Sequence, residues 1–173
     1  QREENLTRVG IELDPTAAEL ARKNLADNAL SGTILTGDLR EKSLLRGDQF
    51  HLVLSNPPYF RAGSGRSGGQ ARMDDTCSVE DLCRTAGRLT RTGGRFALVY
   101  RPERLAELFA ALQKARLEPK RMQLVYPYID KEPNMVLIEA VRGGRSRMIV
   151  EKPLIVYQAP GVYMPEIYDI YGY

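Results

Sequence analysis

The sequence predicts an α/β fold in which helices flank a mainly parallel sheet. Three short apolar segments typical of strands occur at residues 7–13, 33–36 and 50–54, and a helical segment separates the first two. A helix between two strands is the usual connection of parallel neighbours, so this order favours a parallel sheet. At 173 residues, the chain is long enough for one domain with a buried core.

Local signals place the remaining elements. Asp14 and Pro15 are typical of the cap and first position of a helix, which we expect to end near Asn28. Ser78 and Asp81 resemble a capping box, and that helix is expected to end at 92–94. The other predicted elements are strands at 95–100, 122–126 and 135–141, a helix from Pro102 to before Pro119, a short apolar segment at 154–157 and a C-terminal tail at 158–173.

Residues 61–75 consist mainly of Gly, Ser, Arg and Asp, and predict a mobile surface loop. The segment contains a GxGxxG spacing at Gly63, Gly65 and Gly68. A dinucleotide-binding loop lies directly between a strand and an apolar helix, and this segment has neither neighbour. We therefore interpret the spacing as coincidental.

Composition and charge narrow the function classes. No apolar run is long enough to span a membrane, and the two cysteines have no redox-pair or metal-ligand spacing, which favours a reducing, cytoplasmic setting without a metal. Residues 84–147 carry 14 Lys and Arg against 6 Asp and Glu, a net charge of +8. Such a segment can hold phosphates or can be a solvated surface. Within it, Lys120, Arg121, Arg142, Arg145 and Arg147 flank the last sheet strands and are candidate contacts to RNA phosphates.

Two acidic residues follow the first two predicted strands. Glu12 ends the first strand, a position where a carboxylate accepts hydrogen bonds from ribose hydroxyls in nucleotide-binding folds. Asp38 follows the second strand and can accept from the exocyclic amine of adenine, or form a simple turn. Because adjacent strands would bring both to one crevice, the pair indicates a nucleotide site more strongly than either residue alone.

The third strand ends in Asn56-Pro57-Pro58-Tyr59, which is either a plain turn or a holder for an aromatic amine. The Asn56 side-chain oxygen and the Pro57 carbonyl could accept the two N–H groups of adenine N6, directing the nitrogen lone pair outwards, while Tyr59 stacks on the base. Attack on a sulfonium methyl group requires positioning rather than a general base. Accordingly, we interpret His51, the single histidine, as a core residue.

With Glu12, Asp38 and Asn56-Pro57-Pro58-Tyr59 in this order, the chain resembles S-adenosylmethionine-dependent methyltransferases that act on exocyclic amines and amides. Within that class it is most similar to the bacterial tRNA(Val) adenine-N6 methyltransferases. The resemblance implies a Rossmann-like class I methyltransferase sheet with flanking helices and an antiparallel last strand. It implies S-adenosylmethionine as cofactor and tRNA or another RNA as substrate.

The resemblance also assigns residues. It places the cofactor against Glu12, Leu13, Asp38, Leu39 and Asn56, and the target adenine at Asn56 to Tyr59, with Arg61 and Arg72 as further RNA contacts. Two departures are visible: Met73 replaces an expected histidine, and the family's glycine-rich loop, first strand and first helix are missing. We therefore expect an N-terminally incomplete methyltransferase domain over residues 1–173, with a gap in its sheet and weak cofactor binding by this chain alone.

Two alternatives remain open at this stage. The same Asn-Pro-Pro-Tyr sequence could methylate a protein glutamine amide at N5, although the +8 segment favours RNA. The chain could instead be a non-catalytic RNA-binding module or an inactive truncated product. The sequence does not specify an oligomeric state.

Overall fold

A computed structural model describes residues 6–57 and 77–172. The chain separates into two compact units, Gln1–Arg46 and Gly47–Tyr173, each of which is described by itself. The predicted loop at 61–75 lies outside the described residues. No helix in the described ranges combines the length and hydropathy required to cross a membrane.

The first unit is a β–α–β element. Strand β1 (Val9–Glu12) leads into helix α1 (Pro15–Asp27), and β2 (Thr33–Thr36) pairs with β1 in parallel. The Asp14 carboxylate accepts from the backbone N–H groups of Thr16 at 2.7 Å and Ala17 at 3.3 Å, which satisfies two of the free donors at the start of α1. The predicted cap of α1 is confirmed.

The second unit begins with β3 (Phe50–Ser55) and then has α2 (Val79–Leu89), β4 (Thr90–Tyr100), a 3₁₀ turn (Pro102–Arg104) and α3 (Leu105–Lys114). The long strands β5 (Leu117–Tyr126) and β6 (Met135–Arg142) follow. The chain ends with β7 (Ile149–Val150), β8 (Leu154–Ile155), β9 (Tyr157–Ala159), β10 (Val162–Tyr163) and α4 (Pro165–Tyr171).

The main sheet has the order β3-β4-β6-β5-β7, with β8 also pairing with β5. Strands β3 and β4 are parallel, and β6 is antiparallel to both β4 and β5. The direction of β5 is therefore that of β3 and β4, and all three finish at the same end, which we call the carboxyl end of the sheet. The antiparallel strand that the sequence resemblance implies is confirmed.

Helices α2 and α3 cover one face of this sheet. Burial of large apolar side chains holds the layers together, at roughly 1.5–3 kcal/mol for each side chain removed from water. The fully buried members of this core include Phe96, Leu108, Leu112, Leu117, Val136 and Ile138. The sheet is therefore firmly supported from this side.

The two units contain separate sheets. Within the described ranges, β1 pairs with β2 only, and β3 pairs with β4 only. Each of β1 and β3 thus keeps one edge without a strand partner among these residues. The gap that the sequence predicts between these strands stays a prediction.

Three local predictions were wrong. Helix α2 ends at Leu89 rather than at 92–94, because β4 begins at Thr90 and contains an irregularity where it pairs with β3. Strand β5 begins at Leu117 and includes Pro119, which is tolerated beside a register shift. His51 is exposed rather than buried, because β3 is an edge strand among the described residues.

Candidate active site

The corner after β3 lies at the carboxyl end of the sheet. Ser55, the last residue of β3, pairs with Leu98 of β4. Asn56 is exposed and Pro57 is buried, so the proline ring fixes the corner while the asparagine remains accessible. The structure thus supplies two hydrogen-bond acceptors here, the Asn56 side-chain oxygen and the Pro57 carbonyl. Pro58 and Tyr59 lie outside the described residues, and their predicted roles stay predictions.

A cavity of about 490 Å³ begins at this corner and runs across the sheet. Leu54, Ser55 and Asn56 form its β3 side. Its floor and far wall are contributed by the neighbouring strands through Ala97, Leu98, Val99, Leu137, Ile138, Met122 and Gln123. The cavity is therefore mostly apolar and has the Asn56 amide at one end, an arrangement typical of small-molecule sites.

Charged side chains line the end of the cavity away from β3. The Arg121 guanidinium donates to the Glu151 carboxylate at 2.7 Å, and Arg95 donates to Glu139 at 3.1 Å. The hydrogen bond that Arg121 donates to Glu151 raises the pKa of Arg121 above its usual range. Arg121, a predicted RNA contact, is thus a permanent cation that shares its charge with a carboxylate partner.

In the first unit, Glu12 lies where the sequence predicts it, at the carboxyl end of β1. Its Oε1 accepts from the backbone N–H of Asp14 at 2.9 Å, which orients the carboxylate at the start of α1. The Glu12 backbone oxygen accepts from the Gly37 N–H at 2.9 Å, so the ends of β1 and β2 lie side by side. An ionised carboxylate has about four acceptor directions, so Glu12 can accept further hydrogen bonds.

Asp38 lies just beyond β2, within the same unit. One carboxylate oxygen accepts from the Arg40 backbone N–H at 2.8 Å, and the Arg40 guanidinium spans both oxygens. These hydrogen bonds lower the pKa of Asp38, so it is a carboxylate at neutral pH. Leu13 is exposed and Leu39 is half-buried, which provides apolar surface beside each acid.

The sequence analysis did not identify Arg22, whose side chain holds the end of β2 in the first unit. Its guanidinium reaches from α1 to the end of β2, donating to the Ile34 carbonyl at 2.9 Å and to the Thr36 hydroxyl at 2.7 Å. The contact fixes the strand end that carries Asp38. No local pattern identified it, since Arg22 also forms an ordinary i,i+3 pair with Glu19.

Apart from Arg121, which lines the far end of the cavity, the predicted phosphate contacts that the structure describes lie away from the Asn56 corner. Lys120 donates to the Arg145 carbonyl at 2.8 Å, and Arg145 and Arg147 are exposed. Arg142 ends β6, at the opposite end of the sheet from Asn56, and its guanidinium contacts Asp48 and the Thr90 carbonyl. The structure therefore does not bring these cations to the Asn56 corner. Arg61 and Arg72 lie outside the described residues.

One cation that the sequence did not single out lies closer to the corner. Arg101 directly follows β4, and it donates to the Asn134 carbonyl at 2.8 Å, across the start of β6. Since β4 is the neighbour of β3, Arg101 belongs to the carboxyl end of the sheet, as Asn56 does. Its sequence context, a strand followed by Arg-Pro, carries no signal for such a position.

Comparison with known proteins assigns the family. The model of the methyltransferase small domain matches residues 1–116 of the chain. The chain belongs to this methyltransferase family. A tRNA1(Val) (adenine(37)-N6)-methyltransferase from Porphyromonas gingivalis is 36% identical over 167 residues, which are 91% of this chain and 66% of that protein. Another, from Dickeya chrysanthemi, is 32% identical over 145 residues, 80% of this chain and 57% of that protein.

Solved methyltransferase structures share the fold. A predicted O-methyltransferase from Agrobacterium tumefaciens aligns with a TM-score of 0.76 at 26% identity, covering 95% of this chain and 76% of that one. A SAM-dependent methyltransferase from Methanosarcina mazei aligns with a TM-score of 0.58 at 12% identity, covering 84% and 83%. This chain therefore has a class I methyltransferase fold, and it spans just under two thirds of the length of the Porphyromonas relative.

The acidic residues of the first unit fit the cofactor of this methyltransferase family. A carboxylate at the end of β1 suits two neighbouring ribose hydroxyls, and a carboxylate kept ionised beyond β2 suits an adenine amine. Apolar surface at Leu13 and Leu39 suits the faces of the base. The donor and acceptor chemistry of these residues therefore agrees with S-adenosylmethionine.

The described residues offer little for other kinds of catalysis. Burial raises the pKa of the Cys83 thiol to about 12, so it is not a thiolate nucleophile at neutral pH. In the ranges 6–57 and 77–172, no group of three His, Cys, Asp or Glu side chains is arranged to hold a metal ion. The Asn56 corner, with two acceptors at one end of an apolar cavity, is the candidate reacting centre of the second unit.

Proposed function

We propose that this chain belongs to an S-adenosylmethionine-dependent enzyme that methylates N6 of an adenine in tRNA, acting in the cytoplasm where tRNA resides. The observation that carries the proposal is the Asn56 corner, an exposed carboxamide held on a buried proline at the carboxyl end of a strand. The names of the Porphyromonas and Dickeya relatives supply the substrate class.

The corner's chemistry follows from its two acceptors. The Asn56 side-chain oxygen accepts one N–H of the target amine, and the Pro57 carbonyl accepts the other. With both N–H groups held in this way, the nitrogen lone pair is directed away from the corner. S-adenosylmethionine, when bound, supplies an electrophilic sulfonium methyl group. The new N–C bond would form as the bond between sulfur and the methyl carbon breaks. The nitrogen becomes acidic only then, so its proton would pass to water afterwards, and the corner needs no strong base.

The base must leave its stack to reach this position. Enzymes that act on a base extrude it, and they commonly stack the extruded base on aromatic side chains. Tyr59 is the residue that the motif assigns to this role. The cavity beside Leu54 and Val99 adds an aliphatic surface against which the base can pack. Glu12, Leu13, Asp38 and Leu39 are proposed as the cofactor contacts of the first unit.

The basic residues are proposed to act at a distance from the chemistry. Lys120, Arg121, Arg145 and Arg147 carry positive charge on β5 and beyond β6, and Arg61 and Arg72 add to it in sequence. Such contacts hold a tRNA through its phosphates without reading its sequence. They predict that tRNA affinity falls steeply as salt rises.

Transfer of a labelled methyl group tests the proposal. The full-length protein is incubated with labelled S-adenosylmethionine and either bulk tRNA or a peptide-chain release factor. We expect label on tRNA, as N6-methyladenine after nuclease digestion, and we expect Asn56→Ala to lower kcat by at least about a hundredfold, the size of effect seen when one stabilising contact at a reacting centre is removed.

His51→Ala is the matched control, because His51 is exposed on the same strand and has no place in the proposed chemistry. It should retain full activity. Label on protein alone would overturn the RNA substrate in favour of a glutamine amide. Full turnover by Asn56→Ala would remove the role given to Asn56, and no label on either substrate would favour a non-catalytic module.

A further inference from the structure

A chain of tyrosine rings lies beyond the end of β5. Tyr157 stacks on Tyr163 with ring centroids 5.1 Å apart and planes 17° from parallel. Tyr128 adjoins Tyr157 at 5.5 Å, while Tyr168 and Tyr171 adjoin Tyr163 at 5.8 and 6.5 Å. We call these five residues the tyrosine cluster.

The cluster is held in place by backbone and core contacts. The Val156 N–H donates to the Tyr126 carbonyl at 2.9 Å and the Tyr157 N–H to the Pro127 carbonyl at 3.0 Å, so the chain after β8 continues alongside β5. Ile167 of α4 is buried against Val125 and Leu154, which attaches the helix to the sheet. The rings thus sit on an anchored scaffold.

Packing within the protein leaves part of three tyrosine side chains exposed. Tyr163, Tyr168 and Tyr171 are all exposed, Tyr171 by 67%. Exposed apolar side chains border them at Ile129, Val162 and Ile170. A tail that only packed its rings against the domain would bury them, so this surface is suited to a partner with flat, apolar faces.

The position of the cluster connects it with the Asn56 corner. Pairing aligns Ser55 with Leu98, Leu98 with Ile138, and Ile138 with Met122, and β5 then continues for four residues to Tyr126. Three strand spacings and four residues of rise place Tyr126 about 20 Å from Ser55. The cluster therefore lies at the carboxyl end of the sheet, within a few nucleotides of a base held at Asn56.

Local charge indicates which part of a nucleic acid would make the contact. The segments that carry the rings, 126–133 and 154–172, contain Asp130, Glu132, Glu166 and Asp169 and a single cation, Lys131. An acidic border disfavours phosphates, whereas the faces of unstacked bases are uncharged and stack on aromatic rings.

We propose that the tyrosine cluster is a base-stacking surface for the single-stranded nucleotides that flank the target adenine. The inference rests on the proposed RNA substrate and adds a second recognition element to it. Arg101 directly follows β4, which lies between β3 and β5 in the sheet, and its guanidinium donates to the Asn134 carbonyl, so it is placed to meet the intervening phosphate. The surface would select looped over duplex RNA, because only looped bases are free to stack.

The test uses a stem-loop RNA with 2-aminopurine beside the target adenine. Stacking of this base on a ring quenches its fluorescence, so we expect quenching on binding to the parent protein. Tyr168→Ala with Tyr171→Ala should remove the quenching, raise the Kd and the KM for tRNA about tenfold and leave kcat unchanged. Tyr168→Phe with Tyr171→Phe should bind as the parent protein does, because phenylalanine keeps the aromatic ring on which a base stacks.

Ile149→Ala is the matched control, since Ile149 is 52% exposed on β7, has no ring and lies outside the tyrosine cluster and its apolar border. The double alanine variant should bind tRNA more weakly than the parent by the same factor at low and at high salt. Loss of a phosphate contact would instead give a factor that depends on salt. An unchanged Kd in the alanine pair, or no quenching with the parent protein, would overturn the inference. A change in sedimentation in that pair would also contradict it, as it would indicate a protein partner.

Failure of this inference can be told apart from failure of the proposed function. If the parent protein methylates tRNA and the double alanine variant binds tRNA as tightly as the parent, only the stacking surface is refuted. Label on protein with none on tRNA would refute the substrate itself. Should the alanine pair lower the Tm, the quenching measured with the unsubstituted protein still decides between stacking and a structural role.

Discussion

Replacement of Arg142 separates a structural cation from an RNA-binding one. The sequence groups Arg142 with Arg145 and Arg147 as candidate phosphate contacts. In the fold, the Arg142 guanidinium contacts the Asp48 carboxylate and donates to the Thr90 carbonyl at 2.6 Å, joining the end of β6 to the chain entering β3 and to the start of β4. We predict that Arg142→Gln lowers stability and leaves tRNA affinity nearly unchanged.

The magnitude follows from the exposure of each partner. The Asp48 side chain is 65% exposed, so its ion pair contributes between 0 and about 1 kcal/mol. The bond to the Thr90 carbonyl involves a cation whose side chain is only 25% exposed, and a charge-assisted hydrogen bond of this kind contributes about 1.5–3 kcal/mol. We expect a total loss of about 2 kcal/mol, which corresponds to a fall in Tm of roughly 4–8 °C.

Urea unfolding and tRNA binding as a function of salt measure the two effects. Asp48→Asn removes only the exposed ion pair and keeps a residue that tolerates the positive φ of 58° at this position, so it should cost at most about 1 kcal/mol. Arg145→Ala is the opposite control, expected to weaken tRNA binding without loss of stability. A stable Arg142→Gln variant with a shallower salt dependence of tRNA binding would refute this reasoning.

Two further predictions concern the helices that support the sheet. Gly87→Ala in α2 should lower the free energy of unfolding in urea by about 1–3 kcal/mol, because the new Cβ would lie 2.5 Å from the Ala115 carbonyl oxygen. Replacing glycine with alanine usually strengthens a helix, so a gain in stability would contradict this close approach. Hydrogen bonds from Ser78 lower the pKa of Asp81 in the folded protein below its ordinary value of 3.8. The capping box therefore stabilises the fold fully when the pH is above 3.8, and this stabilisation is lost as the pH falls through the lower pKa of the folded state. Ser78→Ala should therefore cost about 1 kcal/mol at neutral pH, and the difference from the parent should shrink as the pH falls below 3.8. A constant difference would exclude the carboxylate from the cap.

Local signals in the sequence predict the elements that depend on local contacts. The start of α1 at Asp14-Pro15 and the capping box at Ser78 involve side chains and backbone within three residues of each other. The bounds of β2 follow from a short apolar run between glycines. These features need no information about the rest of the chain, and all are as expected.

The junction of α2 and β4 required information that local reasoning lacks. Gly93 and Gly94 resemble the end of a helix, yet they lie inside β4, where Gly93 has a φ of +76°. A side chain on Gly94 would meet the Phe50 carbonyl oxygen at 3.0 Å. The glycines therefore serve the pairing of β4 with β3, and β3 precedes them by about forty residues in the sequence.

The site shows the same division. The neighbouring positions of Glu12 and Asp38 could be predicted, because a helix between two strands implies parallel pairing. The ion pair of Arg142 could not, since Asp48 is 94 residues away. Charge composition identifies how many cations a segment has, but only the fold determines which of them already have a carboxylate or carbonyl partner.

The reversal of one strand separates the two kinds of proposed RNA contact in the second unit. Because β6 runs antiparallel between β4 and β5, the turn before it carries Tyr128 to the carboxyl end of the sheet, and Arg145 follows β6 at the opposite end. Strand β5 has ten residues and separates these ends by about 33 Å. An RNA that contacts both must extend along the sheet, so a stem-loop long enough to fill the Asn56 corner and the tyrosine cluster still lacks the phosphate contacts available to a whole tRNA.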